Sequence, residues 1–450
     1  MRRLIQTLRL AVQRKLPAHH QSILSGLVVV VAFIAAAKAL GALKEMSLAW
    51  RFGVGAEIDA YMLVFTFMNW PTSIWLSVLP SLVIPIEAKI RATSPRELPR
   101  FRGELLRMSI LIGIALTAVY LAVLPWCFTH GFFGLPLHTG KLAASMMRVM
   151  GWAVLPGFLG ALYAAWTMSG GRHANTLLEG VPALVVMAAV LSTAGVGSLA
   201  WGTLVGVVAQ AVCLIGFVGR VKPVGGAERS QGWRQFWPAL RIALVGQVVM
   251  SLTSLVDQAF AAGLTEGSIS SLGYSSRVLG LLVGLGATAV GRATLPVFSE
   301  AGAGGAVDVR RAAMKWSLVM ALCGATVAIL GWFVAPWLVR VLFVRGTFSP
   351  DDALVVSRLL RLGLLQIPPY FASLVLVSMH SALGNYALLS GSGFLGLAVK
   401  LVFGSILVKY FGVEGLVISQ AIVYLCNSVL LLVGGRRAAA SHRHDGPGHI

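Results

Sequence analysis

Apolar residues along this chain fall into runs of about twenty, separated by short polar stretches. A helix needs roughly that length to cross a bilayer core of about 30 Å. The runs predict twelve membrane-spanning helices at about 23–43, 59–86, 105–128, 143–167, 177–194, 199–218, 239–262, 268–298, 313–340, 354–380, 388–410 and 414–434. Only residues 195–198 separate the fifth from the sixth. Pro71 and Pro80 lie within the second run and Pro368 with Pro369 within the tenth. A proline there removes a backbone donor, so both helices are expected to be interrupted or kinked.

The polar segment 219–238 divides the pattern into two sets of six helices. The expected organisation is a basic N-terminus (1–22), a first lobe (23–218), a linker (219–238), a second lobe (239–434) and a basic tail (435–450). Traces of a repeat cross that divide. The second span ends with Pro85 and Glu87, the eighth with Pro296 and Glu300. Each follows a loop with glycine and an acid: Gly53, Gly55 and Glu57 in one half, Gly263 and Glu266 in the other. Repeated halves with a substrate site between them are the usual construction of secondary transporters. The fold class is therefore an all-α polytopic membrane protein with two six-helix lobes.

Composition sharpens this reading. The chain is 57% hydrophobic and 12% charged, against roughly 45–50% and 25% for soluble domains. That excludes a water-soluble enzyme core, a disulfide scaffold and a disordered chain. Many of the 50 glycines suit close helix packing; Gly202, Gly206, Gly280 and Gly284 are expected to be such contacts. Cys127, Cys213, Cys323 and Cys426 are scattered and read as small buried hydrophobes. No phosphate-binding Gly-x-x-x-x-Gly-Lys loop or His-Glu-x-x-His pair occurs, so neither an ATP-driven pump nor an enzyme is expected. The tail ending His442-Arg443-His444 reads as an irregular basic extension.

The net charge of +20 is distributed unevenly. Twenty Lys and Arg lie on one side, among them Arg2, Arg3, Arg9, Arg14, Lys15, Arg172, Arg229, Arg436, Arg437 and Arg443. The opposite loops hold four: Lys44, Arg51, Lys141 and Arg345. This asymmetry explains the positive charge without nucleic acid and places both termini in the cytoplasm.

Ionisable residues inside spans are costly in lipid and usually face a watery cavity. The candidates among them are Lys38, Asp59, Asp257, Arg277 and Lys400, with Lys44 and Arg51 just beyond the first helix. Arg148, Arg358 and Arg361 lie near span ends and read as snorkelling. Counting helical rise puts Lys38, Asp59, Asp257 and Arg277 within about 0–14 Å of the outer surface. The expectation is a cationic vestibule lined by helices one, two, seven and eight, suited to a diphosphate. Asp59 either neutralises these cations or caps helix two. Asp257 and Lys400 form a structural ion pair, or Asp257 holds a coupling cation that Lys400 replaces.

Two segments carry a family resemblance. Lys38-Ala-Leu-Gly41-Ala-Leu-Lys44-Glu45, followed by Arg51-Phe52-Gly53-x-Gly55-x-x-x-Asp59-Ala60-Tyr61, resembles the first two helices of the MurJ/MviN lipid II flippases. Residues 268–300, with Tyr274-x-x-Arg277, Gly284 and Leu295-Pro296, resemble their eighth helix. The resemblance implies the multidrug/oligosaccharidyl-lipid/polysaccharide exporter (MOP) fold, with a polyprenyl-diphosphate-linked saccharide as cargo. It sets Lys38 and Lys44 where the family has cavity arginines, matches Asp59 and Arg277, and puts Asp257 where some members hold a sodium ligand. The family has fourteen helices and charges within helix two; here residues 69–80 offer only Asn69, Thr72, Ser73 and Ser77.

The expected function is therefore an inner-membrane flippase for an undecaprenyl-diphosphate-linked exopolysaccharide or O-antigen unit, working by alternating access. Lys38, Lys44, Arg277 and, more remotely, Arg51 are expected to bind the diphosphate. Lipid II transport, cation-coupled drug export and a non-transporting scaffold for envelope synthesis are the alternatives. No cofactor is expected; energy would come from sodium, protons or the membrane potential. Polysaccharide polymerase and glycosyltransferases are the expected protein partners.

Overall fold

The computed structural model describes residues 18–170, 177–193, 195–222, 230–303, 306–383 and 385–444. Side chains are described from residue 33 onward, apart from 285, 288, 289, 291–303, 306–308 and 435–444. The cations Arg2, Arg3, Arg9, Arg14, Lys15, Arg172 and Arg229 lie outside the described residues, and Arg436, Arg437, Arg443, Pro296 and Glu300 are described in backbone only.

The first half contains α1 (Ala18–Phe52), α2 (Ala56–Thr93), α3 (Leu98–Ala122), α4 (Leu124–Thr129), α5 (Leu137–Met150), α6 (Val154–Ser169), α7 (Val181–Ser192) and α8 (Gly197–Val218). The second contains α9 (Trp233–Ala262), α10 (Ser268–Ala303), α11 (Ala306–Phe343), α12 (Pro350–Leu364), α13 (Ile367–Ala382), α14 (Tyr386–Phe411) and α15 (Val413–His444). Among the described residues there is no strand, and nine helical segments are long and apolar enough to cross a membrane. The pairs α3–α4, α5–α6 and α12–α13 are broken single passes. At 12 residues, α7 rises only about 18 Å, short of a full bilayer core.

The prolines act differently in the two expected places. Helix α2 runs unbroken through Pro71 and Pro80. The carbonyl that Pro71 leaves without a donor, on Phe67, accepts the Tyr120 hydroxyl at 2.9 Å, so the neighbouring helix repairs the lost bond. The tenth pass does break, between Leu364 and Ile367, with proline in the first turn of α13. Two other expectations are corrected. Helix α15 continues to His444, because Arg436 to Ala440 is a run of strong helix formers. Cys213 and Cys323 are exposed, and only Cys127 is buried; in lipid an exposed thiol costs little.

Helix α2 is the spine of the first half, packed against α5 and α6. Trp75 of α2 stacks on Phe158 of α6 at 5.4 Å. Gly202 and Gly206 of α8 lie on α7: a Cβ at Gly202 would sit 2.9 Å from that of Ala189, and one at Gly206 2.8 Å from Pro182 Cα. These are the close contacts that small residues allow. Gly280 and Gly284 are not, since an added Cβ would meet nothing within 4 Å. Gly280 leaves open space beside α10.

Glu87, the acid closing the second span, is fully buried. It accepts Arg102 Nε at 2.8 Å and Nη2 at 2.6 Å, Arg91 at 2.9 Å and Ser169 Oγ at 2.7 Å. Nearby, Glu104 of α3 accepts Ser230 Oγ at 2.8 Å and Trp233 Nε1 at 2.6 Å. Phe101 packs on Trp233 and Phe236. The expected linker 219–238 is thus cut short, because α9 already begins at Trp233, pinned to α3.

Gly206→Val is expected to destabilise the fold by about 1–3 kcal/mol through overpacking against Pro182, lowering the thermal midpoint in detergent. Gly280→Ala is expected to leave the midpoint unchanged or slightly raised.

Candidate functional site

Helices α1, α2, α6, α7, α8 and α10, with the end of α11, enclose a cavity of about 510 Å³. Helical spacing aims each wall. Lys38, Gly41 and Glu45 share one face of α1, with Lys44 beside them, and Tyr61, Phe65, Met68, Thr72 and Leu76 share one face of α2. Across from them, α10 presents Arg277 and Gly280. Helix seven, expected in the lining, contributes no described residue to it; its place is taken by α6, α7 and α8.

Lys44 Nζ lies 2.8 Å from Glu45 Oε1, and Arg277 Nε lies 3.4 Å from the same oxygen. The Phe65 ring serves both cations too, with Lys44 Nζ 5.2 Å and Arg277 Cζ 5.6 Å from its centroid. One carboxylate and one aromatic face therefore hold together two like charges that come from opposite halves. Lys44 and Glu45 are buried, whereas the Arg277 side chain is 43% exposed towards the cavity. The second Glu45 oxygen is buried without a hydrogen-bond partner. Lys38 is exposed on the same wall, and the polar lining includes Glu179, Asn69, Thr72, Thr203, Gln210 and Ser276. Three lining cations face two carboxylates, so the cavity keeps a positive bias.

Asp59 and Arg51 are not part of this cavity. Asp59 is 3% exposed and accepts the backbone N–H of Gly267 at 2.6 Å and of Ser270 at 2.7 Å. It therefore caps α10, not its own helix and not the cavity cations. Glu266 returns the contact: its Oε1 accepts the N–H of Ala56, the first residue of α2, at 2.8 Å. Two helix N-termini thus exchange caps between the halves, each placing a carboxylate at the partner's positive end. The same end is tied by Tyr274 Oη to the Gly53 carbonyl (3.1 Å) and by the Thr347 N–H to the Trp50 carbonyl (3.0 Å). Gly53, at φ 60°, permits that approach: a Cβ there would stand 2.7 Å from the Thr347 carbonyl oxygen. Arg51 lies over the neighbouring Trp50 ring, 5.9 Å from its centroid.

Lys400 and Asp257 meet, at 2.6 Å, in the second half and away from the cavity. Arg148 and Arg358 are exposed, and Arg361 lies over Trp332, as snorkelling side chains do.

Sequence reasoning passed over Glu45, Phe65, Glu179 and Glu266. Glu45 follows Lys44 at what looked like the end of an apolar run, yet α1 continues to Phe52. An acid flanked by cations in a helical register was the signal available. Glu266 was noted as a repeat marker, and its partner could not be read from chain order.

Known proteins resemble this chain in sequence and fold. The family model "Lipid II flippase MurJ" matches residues 48–447. A probable lipid II flippase MurJ of Rhizobium tropici is 25% identical over 431 residues, covering 87% of this chain and 77% of the relative. One from Bdellovibrio bacteriovorus is 29% identical over 238 residues, covering 52% of this chain and 46% of the relative. This chain thus spans under half of the latter's length. Among solved structures, a lipid II flippase MurJ in an inward closed conformation superposes with a TM-score of 0.80 at 19% identity, covering 91% of this chain and 87% of the other. An inward-facing multidrug resistance MATE family transporter of the MOP superfamily gives 0.73 at 15% identity, covering 93% and 99%. The fold is that of MOP transporters.

Asp59→Ala combined with Glu266→Ala is expected to remove both exchanged caps, at about 1 kcal/mol each, and loosen this end. A cysteine at Ser270, which is fully buried beside Asp59, in a background without the native cysteines, should then react several-fold faster with a water-soluble maleimide. An unchanged rate would mean the caps do not hold the closure.

Proposed function

Because the chain belongs to the lipid II flippase MurJ family, a family of polytopic membrane transporters, we propose that it moves lipid II between the leaflets of the bacterial inner membrane by alternating access. The observation that carries this reading is the meeting of Lys44 and Arg277, from opposite halves, on a single carboxylate inside the cavity.

A lipid-linked diphosphate supplies what that cluster lacks. Glu45 offers one oxygen to two cations, whereas a diphosphate offers several oxygens and more negative charge. Arg277 engages it through its planar fork and Lys44 as a point charge. Lys38, further along α1, extends the cationic wall towards the end opposite the exchanged caps. Loading therefore displaces Glu45 as counter-ion, and this residue plays the neutralising part expected of Asp59. Asn69, Thr72 and Gln210 provide neutral hydrogen-bonding groups for saccharide hydroxyls.

The excess of cations on one side supports a cytoplasmic location for both termini. The end sealed by Asp59, Glu266, Tyr274 and Thr347 is then the outer end. In this state the cavity is shut from outside, and delivery requires those contacts to part. The cavity acids, Glu45 and Glu179, are outnumbered by lining cations, which disfavours an organic cation as cargo.

A second reading keeps one observation. The stretch 69–80 of α2 carries no charge, which suits a lipid-linked exopolysaccharide or O-antigen unit. The family match favours lipid II over it. The gene is expected to rescue cells depleted of their own lipid II flippase. Failure to rescue, with loss of surface polysaccharide in its own knockout, would transfer the cargo to the second reading. In the rescue assay, Arg277→Glu and Lys44→Glu should abolish growth at normal protein levels, and Arg51→Ala should keep it. Full growth with Arg277→Glu would remove the diphosphate assignment.

A further inference from the structure

The second half holds a charge that the cavity does not use. Lys400 of α14 is completely buried. Its ammonium lies 2.6 Å from Asp257 Oδ1 of α9 and 3.0 Å from the Leu416 carbonyl of α15. Ser419 Oγ donates to that same carbonyl at 2.7 Å. Elsewhere on α9 and α15, Gln258 Oε1 and Asn427 Oδ1 are buried without hydrogen-bond partners, Asn427 facing Gly396 of α14.

Three helices thus meet at one interior point, where the carboxylate of α9 and the backbone carbonyl of α15 converge on the ammonium of α14. That is the donor chemistry by which transporters hold a monovalent cation, and a bare carboxylate in the membrane interior is costly without a positive charge beside it. The family resemblance raises a dissociable sodium at Asp257, but the residues present do not fit one. The position beside the carboxylate is filled by an ammonium, a compact point charge that takes oxygen ligands much as an alkali ion does.

We propose that Lys400 is a tethered cation: its ammonium fills an oxygen-lined site between α9, α14 and α15 that a free monovalent cation enters when the lysine is removed. The charge stays in place through the whole cycle, so the second half neither gains nor releases a cation at this position. An ordinary locking ion pair would behave differently, because removing its lysine leaves a carboxylate that simply takes up a proton. The assignment concerns a site apart from the cavity and does not depend on which lipid-linked cargo the cavity takes.

The test uses the full-length protein in lipid nanodiscs, unfolded thermally in sodium, lithium, potassium or choline chloride at equal ionic strength. Wild type should melt at the same temperature in all four. Lys400→Ala should melt several degrees lower in choline and recover, saturably, in sodium or lithium. Adding Asp257→Asn should abolish that recovery. Lys400→Gln, which keeps a polar stem in the site, is read in the same way should the alanine variant not fold. Saturable stabilisation of the wild type by sodium would overturn the proposal, as would a folded Lys400 variant that ignores every cation. The wild-type measurement stands without any variant.

Discussion

Helices α2 and α10 each begin with backbone N–H groups that their own helix cannot satisfy, and each takes its acceptor from the other. Glu266 serves Ala56, and Asp59 serves Gly267 and Ser270. Because both acceptors are carboxylates at positive helix ends, the exchange is electrostatic as well as geometric. Buried donors left without acceptors are expensive, so the two helices cannot drift apart at this end by degrees. Either the exchange holds, or water must enter and replace it.

The charge cluster in the cavity hangs from the same two helices. Arg277 follows Ser270 by seven residues, about 10 Å along α10, and Phe65 follows Asp59 by six along α2. A rigid helix carries any displacement at one place to the other. Under the proposed function, cargo that draws Arg277 towards Lys44 would act on the exchanged caps two turns away, and parting of the caps would alter the separation of the cations. Open space at Gly280, which lines the cavity, leaves room for a bulky guest beside that charge. Pinning of α9 to α3 through Glu104 and Trp233 keeps the opposite end of the interface joined while this happens.

Much of this was legible before any coordinates. Apolar runs mark the passes, because the bilayer fixes their length, and the cavity cations Lys38, Lys44 and Arg277 stand out as charges where lipid penalises charge. What the sequence hides is which residue of a distant helix a side chain meets. Asp59 sits where an N-terminal cap belongs, and only the fold shows that the helix it caps is α10. Glu45 was overlooked because hydropathy ended the first span too early, and Gly280 because open space and close packing call for the same residue. Arg51 follows the cationic pattern yet lies beyond the turn that points α1 into the cavity.

Central to the proposed function is an exchange in which Lys44 and Arg277 trade Glu45 for the diphosphate of a lipid-linked cargo. Native mass spectrometry of the purified protein with added lipid II, against an excess of phosphatidylglycerol, tests it most directly. Lipid II is expected bound to wild type and to Arg51→Gln, and lost from Arg277→Gln. Equal lipid II occupancy on wild type and Arg277→Gln would contradict it.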